Sequence, residues 1–130
     1  MKGRVFIVED DLDLMELYCL LLDANQMEVW GTARTGEDAL KQYLSASAPP
    51  DAVLLDHRLP GCTGLEVARQ ILRHHPKAEI VLVTADESAI KAARNMGIPR
   101  AKRKPISNAS LLKQLKGALA QARAHRKAAS

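Results

Sequence analysis

Glu9 and Asp10 directly follow the apolar run of residues 5–8, Asp56 closes the run Ala-Val-Leu-Leu, Thr84 closes the run of residues 80–83, and Lys104 follows residues 100–103. Three carboxylates brought close together repel one another. The simplest remedy is a hard divalent cation held through oxygen, for which magnesium is the usual cellular choice and manganese a workable substitute. Phosphoryl chemistry needs the same ion. In such a site Asp56 is the nucleophile toward phosphorus, the Thr84 hydroxyl donates to one phosphoryl oxygen, and the Lys104 ammonium pairs with another.

These residues act together only if the fold brings the ends of several strands to one place. Apolar runs and helical patterns alternate along the whole chain, which argues for repeated βα units and an α/β fold built on a parallel sheet. Strands are expected over 4–8, 27–33, 51–56, 79–84 and 100–103. Helices are expected over 12–25, from Thr35 through Leu44, over 65–74, over 88–96, and from Ser107 to about His125. Met15, Cys19 and Leu22 share one face of the first helix, and Leu111, Leu112, Leu115, Ala118, Leu119 and Ala122 one face of the last. Pro49-Pro50 and Gly97 mark stops. In a doubly wound parallel sheet, ligands bind beyond the carboxyl ends of the strands, where four of the five ends are polar here.

With these residues in place, the sequence resembles the response-regulator receiver family. The motifs that carry the resemblance are Val8-Glu9-Asp10-Asp11, Leu54-Leu55-Asp56 with Leu59-Pro60-Gly61 and Gly64, Val83-Thr84-Ala85, and Lys104-Pro105. The resemblance covers nearly the whole chain and implies a doubly wound, flavodoxin-like sheet of strand order 2-1-3-4-5 with five helices. It implies that Asp56 is phosphorylated by a sensor histidine kinase, a phosphotransfer protein or a small phosphodonor. It also implies that the Arg58 carbonyl joins Glu9, Asp10 and Asp56 around magnesium, and that the bond before Pro105 is cis. Such a domain assists its own phosphorylation and dephosphorylation without being a conventional enzyme, and it works by switching partner binding.

Rival chemistries are weaker. Asp11 and Asp13 form the Asp-x-Asp of haloacid-dehalogenase-type phosphatases, but those need acids downstream of the lysine, and none follows Glu87. A calcium loop lacks its glycine and terminal glutamate. Cys19 and Cys62 have no metal or redox spacing, and His74-His75 lack a third ligand. His57 is expected to line a loop.

Departures from the family shape the expected output. Ala101 stands where an aromatic commonly reports phosphorylation, so the signal must travel by another path. Arg58, Ala85 and Asp86 flank the route of a hydrolytic water, and an Arg58–Asp86 pair across the site is expected to screen the acyl phosphate.

Cutting the chain after Glu87 leaves 8 cations and 15 acids before the cut and 11 cations with no acid after it, so −7 faces +11. The C-terminal part is expected to form a basic face for a downstream protein target, with nucleic acid a lesser possibility; aromatics are only 3% of residues, so a backbone-only or acidic-protein contact is expected rather than single-strand stacking. A twofold axis through that face would bring like charges together, so a monomer or weak dimer is expected. The other class of reading is a receiver-fold module that is never phosphorylated and binds an acidic protein or nucleic acid there. Residues 1–125 are expected to form the domain and 126–130 a basic tail too short for an effector, leaving output to partner contact or to a domain outside this chain. No run is long enough to span a membrane and no cleavable leader is evident, so the expected location is cytoplasmic.

Overall fold

The computed structural model describes residues 2–129. Strands and helices alternate as β1 (Gly3–Val8), α1 (Leu12–Ala24), β2 (Met27–Ala33), α2 (Gly36–Ser45), β3 (Ala52–Asp56), α3 (Gly64–His74), β4 (Ile80–Thr84), α4 (Glu87–Asn95), β5 (Ala101–Arg103) and α5 (Asn108–Ala129). All strand pairs are parallel, in the order β2-β1-β3-β4-β5. This is the doubly wound α/β fold that the sequence implied.

Successive side chains on a strand point to opposite faces, and this alternation divides the core into two layers. Val5, Ile7, Leu54, Val81 and Val83 pack beneath α1 and α5, meeting Met15, Tyr18 and Leu22 from one and Leu111, Leu115, Ala118 and Leu119 from the other. Phe6, Val8, Val53, Leu55 and Leu82 pack beneath α2, α3 and α4. Strands β3 and β4 are buried along their whole length, which is why they read as unbroken apolar runs.

Helix starts are fixed by side-chain caps. Asp11, Thr35, Thr63 and Asp86 accept first-turn amides of α1, α2, α3 and α4, and Ser107 Oγ accepts the Ser110 amide at the start of α5. Beyond α4, Gly97 takes φ +90°, a conformation open to glycine at no steric cost.

Four details differ from the sequence expectation. Tyr18, not Cys19, is the buried residue at the middle of α1, with Cys19 half-buried at the margin. Leu44 is 42% exposed, because the core ends at Tyr43. Strand β5 begins at Ala101, leaving Arg100 outside it. Helix α5 continues through Ala129, so residues 126–129 are its last turn rather than a separate tail, and Ser130 lies outside the described residues. That turn is anchored by an Arg126–Asp51 ion pair, with His125 Nδ1 3.8 Å from Glu79 Oε2.

Gly64 ties the fold to the site. A Cβ there would collide with the Asp56 carbonyl oxygen and come within 2.8 Å of His57 Cα, both of them backbone that cannot swing away. Gly64→Ala is therefore expected to destabilise the chain by about 2 kcal/mol in urea unfolding, as overpacking does. An unchanged midpoint would contradict this packing.

Candidate functional site

Parallel register delivers the polar strand ends to one level. Val8 pairs with Leu55, so Glu9 and Asp56 emerge side by side from β1 and β3. Asp56 pairs with Val83, and Thr84 pairs with Arg103, so Thr84 and Lys104 follow at the same edge of the sheet. Backbone bonds fix these ends: the Glu9 amide donates to the Ala33 carbonyl at 3.0 Å, and the Lys104 amide donates to the Thr84 carbonyl at 2.8 Å.

One carboxylate oxygen from each of Glu9, Asp10 and Asp56 lies within 4.8 Å of the others. Lys104 Nζ sits 3.3 Å from Asp56 Oδ1 and 3.6 Å from Glu9 Oε1. Two of the three acids thus share one ammonium. Glu9 is only 2% exposed; its Oε2 accepts the Asp11 amide at 3.1 Å, while its Oε1 is buried with no hydrogen-bond partner among the described residues. Burial, reinforced by the charges of Asp56 and Asp10, pushes the Glu9 carboxyl up to about 7 against the partial relief of the Asp11 amide and Lys104.

An all-oxygen donor set with surplus negative charge and a buried oxygen that receives no hydrogen bond among the described residues suits a hard divalent cation. Glu9, Asp10 and Asp56 therefore fit the expected ion. A soft metal would find no thiolate or imidazole among these three.

Thr84 is buried, and its Oγ1 accepts the Asp86 amide at 3.1 Å, leaving the hydroxyl hydrogen available to a ligand. Ala85 is exposed beside it. The Lys104–Pro105 peptide is cis. Arg58 and Asp86 both line the mouth of the site, an open cavity of about 640 Å³ shared with Asp10, His57 and Cys62. No ion pair joins them among the described residues, which corrects the expected pairing. Asp86 instead caps α4, accepting from the Ser88 amide at 2.9 Å, the Ser88 hydroxyl at 2.7 Å and the Ala89 amide at 3.3 Å. The Ser88 hydroxyl, then the Ala89 amide, hold its carboxyl below the ordinary value. The loop at Arg58 is in turn braced by an antiparallel bridge to Thr63 and by the Gly64 amide donating to the His57 carbonyl at 2.7 Å.

Two residues named in the sequence, His57 and Gly64, hold positions at the site that the sequence reading did not assign them. His57 has a buried Nδ1 without a hydrogen-bond partner among the described residues. Gly64 permits the close packing under Asp56. A glycine eight residues after an acid carries too little pattern to reveal such a contact.

The family model for the response regulator receiver domain matches residues 5–116. The chain belongs to that family. Response regulator GacA of Pseudomonas viridiflava is 40% identical to this receiver over 85 residues, or 65% of this chain and 39% of that protein. The receiver thus spans about two fifths of the length of the GacA relatives it matches. The CheY-like receiver domain protein of Methanospirillum hungatei superposes with a TM-score of 0.85 at 22% identity, covering 96% of this chain and 99% of that one. A chain of the CheX-CheY-BeF3-Mg2+ complex from Borrelia burgdorferi gives 0.81 at 22% identity, covering 88% and 87%. No helix among the described residues is long and apolar enough to cross a membrane.

The Glu9 environment has a measurable consequence in the metal-free receiver. Folding holds this carboxyl above its usual 4.5, so its protonated form favours the fold, and that contribution is lost as pH rises through about 7. Glu9→Gln should stabilise the metal-free protein at pH 8.5 by on the order of 2 kcal/mol and by much less at pH 5, while weakening magnesium binding at least about tenfold. Equal effects at both pH values in urea titrations would contradict the desolvation of Glu9.

Proposed function

We propose that this receiver is a phosphorylation-operated switch whose phosphoacceptor is Asp56. The observation that carries the reading is the convergence of Glu9, Asp10 and Asp56, with Lys104 Nζ against Glu9 and Asp56, a buried Glu9 oxygen that receives no hydrogen bond among the described residues, and the buried Thr84 at the same strand ends. The donor is the phosphohistidine of a sensor kinase or phosphotransfer protein, or a small phosphodonor such as acetyl phosphate. This reading places the receiver in the cytoplasm, where such donors are found.

An Asp56 carboxylate oxygen attacks phosphorus, and a P–O bond forms as the bond to the donor breaks, the electron pair leaving with the donor's imidazole nitrogen or carboxylate oxygen. Glu9, Asp10 and Asp56, joined by the Arg58 carbonyl, would hold a magnesium or manganese ion, which would supply neutralising charge to the phosphoryl oxygens. Lys104 already contacts Asp56, and its side chain is 28% exposed, so it has room to follow a phosphoryl oxygen. The Thr84 hydroxyl donates to another.

The same hydroxyl explains how the event is read without an aromatic at Ala101. Thr84 Oγ1 holds the Asp86 amide, and Asp86 caps α4. Drawing Thr84 toward a phosphoryl group therefore pulls on the first turn of α4 and biases the surface shown to a downstream protein target.

Incubation with magnesium and acetyl phosphate should add one phosphoryl mass to the intact chain. Asp56→Asn should abolish the gain, and Lys104→Ala should slow it by about tenfold or more, the usual range for losing a positioned charge on a reacting phosphoryl group. A gain in Asp56→Asn equal to that of the wild type would overturn the assignment.

A further inference from the structure

The charge imbalance of the chain acquires a shape in α5. Residues 88–130 hold no acid, and the helix spans Asn108–Ala129, about 33 Å at 1.5 Å per residue. Its buried face is Leu111, Leu115, Ala118 and Leu119. Lys113, Lys116 and Arg123 recur at helical spacing on the opposite, exposed face, and Lys127 continues the row.

Several cations of this region are already engaged. Arg103 pairs with Glu87 at 3.0 Å, Lys104 with the carboxylates of the site, and Arg126 with Asp51. Arg100 lies against Gly117, where a Cβ would come within 2.7 Å of its guanidinium nitrogens, and it donates to Gln114 Oε1 at 3.1 Å. Arg94 donates to the Ala101 carbonyl at 3.1 Å. By contrast Lys113, Lys116 and Arg123 have no ion pair among the described residues. Lys102 adds to the row, since Ala101 belongs to the core beneath α2, α3 and α4, and alternation turns its neighbour toward the α5 side.

What lies between these cations selects the partner. The exposed residues interleaved with them are Ala120, Gln121 and Ala124, and the exposed large apolar residues, Leu12, Leu17, Leu20 and Leu44, all lie on other helices. A protein interface draws most of its energy from buried aromatic, aliphatic or arginine anchors set in pockets, and this face offers no aromatic or large aliphatic one. Base stacking in a single strand needs exposed aromatic rings, which are likewise missing from α5. A row of cations, of which Lys113, Lys116 and Arg123 have no ion pair among the described residues, separated by small or uncharged side chains suits close approach to a regular line of phosphates.

We propose that the exposed face of α5, with Lys113, Lys116 and Arg123 as its core and Lys102 beside it, binds the phosphate backbone of double-stranded nucleic acid without reading its sequence. Binding of this kind is governed by counterion release, so three to four phosphate contacts imply a slope of roughly −3 for log affinity against log salt. The interaction does not depend on Asp56 phosphorylation.

Fluorescence anisotropy of the intact chain with a labelled mixed-sequence DNA duplex, at 50 to 200 mM salt, tests it. The expected result is binding with that slope, an affinity equal within about twofold for a second sequence, and at least a tenfold loss in the triple variant Lys113→Ala, Lys116→Ala, Arg123→Ala. Replacing both lysines by arginine should preserve binding, which separates lost charge from lost folding. Absence of binding at 50 mM salt, a triple variant that binds like wild type, or displacement of the duplex by poly-glutamate at equal charge concentration would overturn the proposal, the last pointing to an acidic protein segment instead.

Discussion

Crowding of negative charge at the ends of β1 and β3 is the constraint on which the rest of this structure turns. Parallel register sets Glu9 beside Asp56, the following residue adds Asp10, and burial removes most of the water that would otherwise screen them. Lys104 answers only part of that charge, and Glu9 Oε1 is left without a hydrogen bond among the described residues. A fold optimised only for stability would replace such a group, because a buried unsatisfied carboxylate costs more than a well-packed apolar side chain. Its presence supports the cation-binding role proposed for the site.

The surrounding architecture keeps that crowding of charge local. Both core layers are continuous beneath the site, and the loop after Asp56 is braced by the Arg58–Thr63 bridge and by the close approach of Gly64. The loop after Thr84 is held differently, by the Asp86 amide donating to the Thr84 hydroxyl oxygen and by the Asp86 cap on α4. In the proposed switch, with Ala101 fully buried and carrying no ring, the start of α4 is the element that would respond.

Much of this was legible in the sequence because a polar residue that closes a buried apolar run has few reasons to be there. Glu9, Asp56 and Thr84 are the buried polar or charged residues of the described chain, and each stands at such a position. Less was legible where competing local interactions decide the outcome. Asp86 was readable as an acid near the site, but not as the cap of α4, whose first turn takes up its Oδ1. The end of α5 was hidden because its apolar face fades after Ala122, while alanine, lysine and arginine keep the helix going by propensity and Arg126 anchors it to Asp51. Strand β5 has three residues, two of them cations, too short and too polar for periodicity to bound.

The cation site is tested most directly by titrating manganese into the isotopically labelled chain and following paramagnetic broadening of its backbone amide resonances. Selective loss of the signals of Glu9, Asp10, Asp56 and Arg58 at substoichiometric manganese, reversed by excess magnesium, is the expected result. Broadening centred elsewhere, or absent from these four amides, would contradict the gathering of these carboxylates into a metal-binding pocket.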